Sequence, residues 1–393
     1  MMASLFTFAI IAILILIAPY VSKLTKIPIV VVEIVLGALG YYFGIFKHSE
    51  GLTIVAEVGF LFLMFLCGME VDLRGFKQLG KEFLKKAGMY FLVLYVVATS
   101  AVLILKLPPI YIAAFPVMSL GMIMALIKDY GKNMPWLDLA LKIGIIGELV
   151  SIAVLVIING SYSYGLTIEL YKTLAVLLLF LLVIVGLFQL GKILFWWFPN
   201  LKLFIMPYND ENNQDIRFSM MLFFGLIVIV MWLGLEIVLG AFLAGMVVAT
   251  FFPYKHELVH KLNDIGFGFF VPLFFVHVGS TLDLSLVLHT PSLLAHGAFI
   301  VVGMISLRLV SATIAFRKYF KNAKNTVLFA LSDSMPLTFL VATAALGLQL
   351  GAMDQNTYYS FLLAAIFEGV IFTILIKVIY VFWKVPHRPK KKP

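Results

Sequence analysis

Long apolar segments recur along the whole chain, and short polar loops separate them. The segment from Thr173 to Gly191 has no charged residue, and its length approaches the roughly 20 residues that cross a bilayer as a helix. Alternating segments of about ten residues, typical of transmembrane β-strands, are not found. The pattern predicts an all-α polytopic membrane protein with about thirteen spans. These are residues 2–22, 28–46, 53–70, 86–106, 110–127, 138–159, 168–197, 216–233, 235–252, 259–280, 293–316, 325–350 and 357–383.

The spans leave little of the chain outside the membrane, so we expect one transmembrane domain over residues 1–393 and no soluble regulatory domain. The longest polar stretch, Tyr208 to Arg217, is only a loop. Its position favours two halves, about 1–165 and 216–393, joined by span seven. Such halves would be inverted repeats, in which span five corresponds to span twelve. The apolar N-terminus lacks a basic region and a cleavage site, so we expect a retained first span.

Composition supports the assignment to a membrane. Hydrophobic residues make up 63% of the chain and charged residues 12%, and the mean hydropathy is +1.07. A soluble domain has about 45–50% apolar and 25% charged residues, so a soluble globular protein is excluded. The single cysteine, Cys67, excludes an intrachain disulfide.

The net charge of +9 is mostly a signal of topology. When alternate loops are assigned to one side, about 25 of the 29 lysines and arginines collect there. Lys47, Lys106 and Lys172 fall on the other side, and Arg308 lies within a span. The positive-inside rule therefore predicts a plasma (inner) membrane protein with its N-terminus outside and its C-terminus in the cytoplasm. It also explains the basic charge without a nucleic-acid partner.

Ionisable residues inside spans are the candidate functional groups, because each costs about 2.5–3.5 kcal/mol at a helix centre. Glu148 stands about halfway along span six among apolar residues. A carboxylate there must be protonated, paired or facing water, so it can exchange a proton for a hard cation. Arg308, in span eleven, cannot lose its proton and is a candidate counter-charge. Glu33 and Glu368 are the other intramembrane acids that we single out.

Spans five and twelve are predicted to be discontinuous. Span five contains Pro116, Ser119 and Gly121, and span twelve contains Ser332, Asp333, Ser334 and Pro336. Matched interruptions in two halves are typical of broken helices, whose free carbonyls and helix ends bind ions. Proline kinks without function are also common in membrane helices. The presence of Asp333 beside Pro336 favours the functional interpretation.

Several motifs resemble those of the monovalent cation:proton antiporters, especially the potassium-efflux and Nap-type sodium/proton branch. They are IPIVVVEIVLGALGYYFG from Ile27, which includes Glu33, FLFLMFLCGMEVDLR from Phe60, LGAFLAGMVVA from Leu239 and IGFGFFVPLFFVHVG from Ile265. The resemblance implies thirteen helices in inverted repeats, a dimerisation domain that makes a homodimer, and a mobile core with crossed, unwound spans five and twelve. It places Ser119 at the polar break of span five, Glu148 at the transport carboxylate and Arg308 at the basic position of span eleven.

The chain departs from the family pattern in two spans. Members usually carry Asp-Asp, Asn-Asp or Gln-Asp in span six, where this chain has Gly147 and Glu148. Their span twelve usually reads like Ser-Gln-Arg-Gly-Glu-Phe, whereas residues 332–337 here read Ser-Asp-Ser-Met-Pro-Leu. We expect no counterpart of the cytoplasmic nucleotide-binding domain of the efflux branch. These departures bear on the choice of ion, the coupling and the gating.

The leading hypothesis is antiport of Na⁺ or K⁺ against H⁺ across the lipid bilayer by alternating access, with both ions competing for Glu148. Asp333 and Ser119 would add oxygen ligands, which hard cations prefer. One acid in span six predicts one-for-one electroneutral exchange, and a titrating Asp333 would make it electrogenic. We expect no cofactor and no enzymatic activity. The alternatives are a sodium-coupled organic-anion symporter, with Arg308 binding the substrate, and a non-transporting scaffold with a Glu148–Arg308 lock.

Overall fold

A computed structural model describes residues 2–25, 27–47, 49–69, 80–131, 133–164, 212–235, 237–252, 255–320 and 322–383, with isolated positions between 172 and 207. Every regular element among these residues is a helix. Most of predicted span seven lies outside the described residues, as does the motif after Met69.

The first seven helices form the N-terminal half of the chain. They are α1 (Met2–Thr25), α2 (Ile29–Tyr42), α3 (Glu50–Met69), α4 (Lys81–Ile104), α5 (Ile110–Ala114), α6 (Leu120–Tyr130) and α7 (Pro135–Tyr164).

The remaining nine helices follow the region around span seven. They are α8 (Gln214–Trp232), α9 (Ile237–Phe251), α10 (His256–Ile265), α11 (Val271–Ser280), α12 (Leu284–His289), α13 (Pro291–Phe320), α14 (Ala323–Asp333), α15 (Leu337–Gln349) and α16 (Gln355–Phe382). A π-helical turn, Gly266–Phe270, joins α10 to α11.

The helices confirm a polytopic membrane protein. Among the described residues, seven helices are long and apolar enough to cross a bilayer, and three shorter helices are also apolar. The seven are Leu5–Thr25, Glu50–Met69, Lys81–Ile104, Gln214–Trp232, Glu257–Ser280, Pro291–Phe320 and Gln355–Phe382. Each coincides with a span predicted from the sequence.

The chain divides into two compact units that are not its sequence halves. The first unit comprises Met1–Gly80 and Ile152–Leu286, and the second comprises Lys81–Ser151 and Val287–Pro393. Each unit therefore draws on both the N-terminal and the C-terminal part of the chain. The inverted-repeat relation between the halves stays a prediction.

Small residues allow the helices of the first unit to approach closely. In this unit α3 packs on α9, and α2 packs on α11. A Cβ on Gly245 would lie only 2.0 Å from the carbonyl oxygen of Phe65, and one on Gly68 would lie 2.1 Å from that of Phe242. Lipid tails are as apolar as the helices, so the hydrophobic effect does not drive helix association in a membrane. Membrane helices associate by close van der Waals packing instead, which small residues allow. Glu33 is buried on α2 in this unit.

Two broken spans organise the second unit, as the sequence predicts. In span five, α5 ends at Ala114 and α6 begins at Leu120; in span twelve, α14 ends at Asp333 and α15 begins at Leu337. Pro116 and Pro336 lie in the gaps, where proline removes a backbone donor and interrupts a helix. The half-helix α5 packs on α15 and α6 packs on α14, so the two broken spans pass each other in opposite directions.

Candidate functional site

The break in span five exposes backbone groups that an intact helix would use internally. Ser119 has an extended conformation and is the N-cap of α6, where its Oγ accepts a hydrogen bond of 3.4 Å from the Gly121 amide. The carbonyl oxygens of Phe115 and Val117 lie just before it, and both accept hydrogen bonds from a side chain of another helix. The break is thus held in place by specific contacts.

Arg308 supplies those contacts. Its side chain on α13 is completely buried. Nη1 donates to the Phe115 carbonyl at 2.6 Å and to the Met304 carbonyl at 3.3 Å, and Nη2 donates to the Val117 carbonyl. A planar guanidinium suits this task because its donors form a rigid fork.

The same guanidinium reaches the break in span twelve. Its Nε lies 3.7 Å from Oδ2 of Asp333, the last residue of α14, and both side chains are completely buried. Arg308 therefore connects the two breaks through a buried ion pair with Asp333 and hydrogen bonds to two carbonyls of span five. Loss of either charge would leave the other buried and uncompensated, which typically costs about 3–5 kcal/mol.

Tyr90 is a site residue that the sequence analysis did not identify. Its hydroxyl, on α4, donates a hydrogen bond of 2.5 Å to Oδ2 of Asp333. The ring is completely buried and packs against Phe316 and Phe329, with ring centroids 5.4 and 5.6 Å away. The available signal was weak: a buried tyrosine hydroxyl usually finds a partner, but nothing in the sequence indicates which one.

Glu148 lies on α7, which is attached to the break in span five. Its side chain is completely buried. Three residues later, Ser151 Oγ donates to the Gly147 carbonyl at 2.7 Å and accepts from the Met118 amide at 3.0 Å. These hydrogen bonds join α7, the helix that carries Glu148, to the break in span five.

Gly147 is required by the packing of Met118. A Cβ on Gly147 would lie 2.1 Å from Sδ of Met118 and 3.0 Å from its Cβ. The thioether therefore occupies the space that a larger residue before Glu148 would need. This contact gives a physical reason for glycine at position 147, where the antiporters that this chain resembles carry a polar residue.

The structure gathers most of the predicted residues in one unit. Ser119, Arg308 and Asp333 lie at the two breaks, and Glu148 lies on the adjoining helix. Glu368 is completely buried on α16 in the same unit, whereas Glu33 belongs to the other unit. The carboxylate that forms an ion pair with Arg308 is Asp333, a choice that the sequence left open.

Comparison with known proteins identifies the family. A family model described as "Sodium/hydrogen exchanger, transmembrane" matches residues 10–382. The chain belongs to the sodium/hydrogen exchanger family. This confirms the resemblance to monovalent cation:proton antiporters, which are transporters and not an enzyme class.

Curated members of this exchanger family align along nearly the whole chain. The putative Na⁺/H⁺ antiporter YjbQ of Bacillus subtilis is 28% identical over 93% of this chain, which spans 61% of the YjbQ length. The probable Na⁺/H⁺ antiporter 3 of Methanocaldococcus jannaschii is 25% identical over 96% of each protein. The solved structure of the sodium proton antiporter MjNhaP1 from the same archaeon matches with a TM-score of 0.65 at 13% identity, covering 96% of each chain. This last likeness confirms the predicted exchanger fold.

Proposed function

We propose that this exchanger is a secondary active antiporter that moves Na⁺ in exchange for H⁺, with K⁺ as the alternative cation. The observation that carries the proposal is the Arg308–Asp333 ion pair between two broken spans, together with the buried Glu148 on a helix that Ser151 bonds to the span-five break. Family membership and the names of the relatives support Na⁺ and H⁺ as the exchanged ions.

The chemistry follows from charge balance in a site that excludes water. Glu148 binds either a proton or the cation, and Asp333, Ser119 and free backbone carbonyls complete an oxygen-rich coordination for the cation. Arg308 balances Asp333 when the cation is absent and also holds the span-five carbonyls. Alternating access comes from rigid-body movement of the unit that contains the site, as in other transporters with broken helices.

Two structural features are weighed against the alternative functions. An anion symporter would use Arg308 for the substrate carboxylate, but this guanidinium already binds backbone carbonyls and pairs with Asp333. A scaffold would rely on a Glu148–Arg308 lock, whereas the partner found for Arg308 is Asp333. Both features favour antiport.

The orientation and assembly are part of the same proposal. The bias of basic residues supports an N-terminus outside and a C-terminus in the cytoplasm. A homodimer is expected from the resemblance to antiporters.

Proton flux in proteoliposomes tests the function. Addition of Na⁺, K⁺ or Li⁺ should drive proton movement with the wild type and not with Glu148→Gln at matched folded yield. The control is Glu57→Gln, which makes the same change at an exposed glutamate of α3; its flux should be unchanged. Absence of cation-driven flux in the wild type would refute antiport, and retention of full flux in Glu148→Gln would remove Glu148 from the site.

A further inference from the structure

Glu368 differs from two other polar residues of α16, the buried Ser360 and the half-buried Thr373. Ser360 and Thr373 donate to carbonyls of their own helix, at 2.9 Å to Asn356 and 2.6 Å to Gly369. Glu368 is completely buried, yet neither of its carboxyl oxygens has a hydrogen-bond partner among the described residues. A buried, unpaired carboxylate is costly in a membrane and indicates a functional group by default.

Helix packing places Glu368 at the depth of the Arg308 guanidinium. A Cβ on Gly297 of α13 would lie 3.1 Å from Cβ of Leu363, so α13 and α16 touch there. Both helices continue in the same direction, and at 1.5 Å per residue Met304 and Glu368 lie about 10 and 8 Å further along. Arg308 folds back to the Met304 carbonyl, so its guanidinium lies near the level of Glu368.

Asp333 lies at nearly the same depth. Lys324, near the start of α14, donates to the Tyr380 carbonyl of α16 at 2.9 Å. Asp333 is nine residues after Lys324 along α14. The residue nine positions before Tyr380 on α16 lies within one helical turn of Glu368. One guanidinium and two carboxyl groups thus share one level of the unit.

The other ionisable groups on the neighbouring helices lie away from this level or bind elsewhere. On α13, His296 precedes Gly297, while Arg317 and Lys318 are in the last turn. On α14, Lys324 is bound at the Tyr380 end, and α15 has no ionisable residue. Tyr90 on α4 donates to Asp333. Among the described residues of these neighbouring helices, Arg308 is therefore the positive charge at the level of Glu368.

We propose that Glu368 is a second exchangeable proton site of the transporter, linked to the cation through Arg308. While Arg308 pairs with Asp333, Glu368 keeps its proton. When Asp333 turns to an incoming cation, Arg308 pairs with Glu368, whose O–H bond breaks and whose proton leaves to water. The inference rests on the proposed antiport, and it predicts two protons per cation where Glu148 alone would give one.

Proton release from the purified protein tests this without requiring turnover. The probe is the cation that drives flux in liposomes, added to protein in weakly buffered detergent with a pH-indicator dye; bound cation is counted with a radioactive tracer. We expect two protons per bound cation from the wild type, one from Glu368→Gln and two from Glu368→Asp, which restores the carboxyl group. Glu57→Gln, at an exposed glutamate of α3, is the control and should release two.

The outcomes separate this inference from the proposed function. A wild type that binds the cation and releases no proton contradicts antiport itself. A wild type that releases one proton, a Glu368→Gln variant that still releases two, or a loss in Glu57→Gln as well overturns only the role of Glu368. If Glu368→Gln does not fold, a wild-type count of one proton still overturns that role, and the count of the conservative Glu368→Asp variant is compared with the wild type.

Transport under an imposed membrane potential gives a second measurement. Exchange of two protons for one monovalent cation moves net charge, so the wild-type rate should depend on a potassium–valinomycin potential. Glu368→Gln should retain exchange and lose that dependence. A potential-independent wild type, or a variant that keeps the dependence, would overturn the second proton site.

Discussion

At the scale of single residues, Arg308 performs several tasks that no other described residue of its unit combines. It binds two carbonyls of one break, a carbonyl of its own helix and a carboxylate of the other break. Lysine could supply the charge but not the forked geometry. The arginine is therefore a structural element of the site as well as a counter-charge.

Arg308→Ala should destabilise the folded protein by about 3–5 kcal/mol, because Asp333 would remain buried without its partner. Thermal unfolding of the purified protein measures this loss. Arg317→Ala removes an exposed arginine of the same helix and should change stability by no more than about 0.5 kcal/mol. Equal effects of the two variants would contradict the importance of the ion pair.

Tyr90→Phe should lower stability by about 1.5–3 kcal/mol, because a hydrogen bond to a charged carboxylate is lost while the ring packing remains. The comparison variant is Tyr319→Phe, at an exposed ring of α13, which should behave like the wild type. Chemical denaturation in detergent measures both variants. Unchanged stability of Tyr90→Phe would show that the hydroxyl does not hold Asp333.

At the scale of helices, close contacts decide which residue types fit. Gly147→Ala should cost about 1–3 kcal/mol, since its Cβ overlaps Met118 and forces the thioether to move. Met118→Ala should cost less in the Gly147→Ala variant than in the wild type, and a double-mutant cycle would measure this coupling. Gly225→Ala on α8, where a Cβ would meet nothing within 4 Å, is the control and should not destabilise. Strict additivity of the two substitutions would argue against this contact.

The start of α16 offers a test by pH. The Asp354 side chain accepts a hydrogen bond of 3.0 Å from the Thr357 amide, and hydrogen bonds with Thr357 lower the pKa of this carboxyl below 3.8. A carboxyl group whose pKa is lower in the folded state stabilises the fold at pH values above its pKa in the unfolded state. This contribution is lost as the pH falls through the pKa of the folded state. Asp354→Ala should cost about 1 kcal/mol at neutral pH, and the difference from wild type should shrink in acid. A difference that does not change with pH would mean that the charge is irrelevant to the cap.

Much at the helix scale could be predicted from sequence because apolar length and proline position are local properties. The breaks at Pro116 and Pro336 were predicted correctly. Other features depend on contacts across the fold: Tyr90 binds Asp333, Arg308 binds the Phe115 carbonyl, and Arg308 pairs with one of several acids. No local pattern encodes those choices, and the first two contacts join residues 243 and 193 positions apart.

At the scale of the whole molecule, the membrane topology makes a direct prediction. Lys47 and Lys318 are exposed and fall on opposite sides by the positive-inside rule. Cysteine at position 47 should react with an impermeant maleimide in intact cells, and cysteine at position 318 only after permeabilisation. Both substitutions are made with Cys67 replaced by serine. The reverse pattern of labelling would invert the proposed orientation.

The interleaving of the two units has a consequence for biosynthesis. The carbonyl of Val117 and the guanidinium of Arg308 are 191 residues apart. A ribosome adds roughly 5–20 residues per second, so Arg308 is translated about 10–40 s after Val117. During that interval the broken helix has already been translated while its guanidinium partner has not. The nascent chain must therefore protect those polar groups from lipid by other means, such as water, an insertase or a temporary continuous helix.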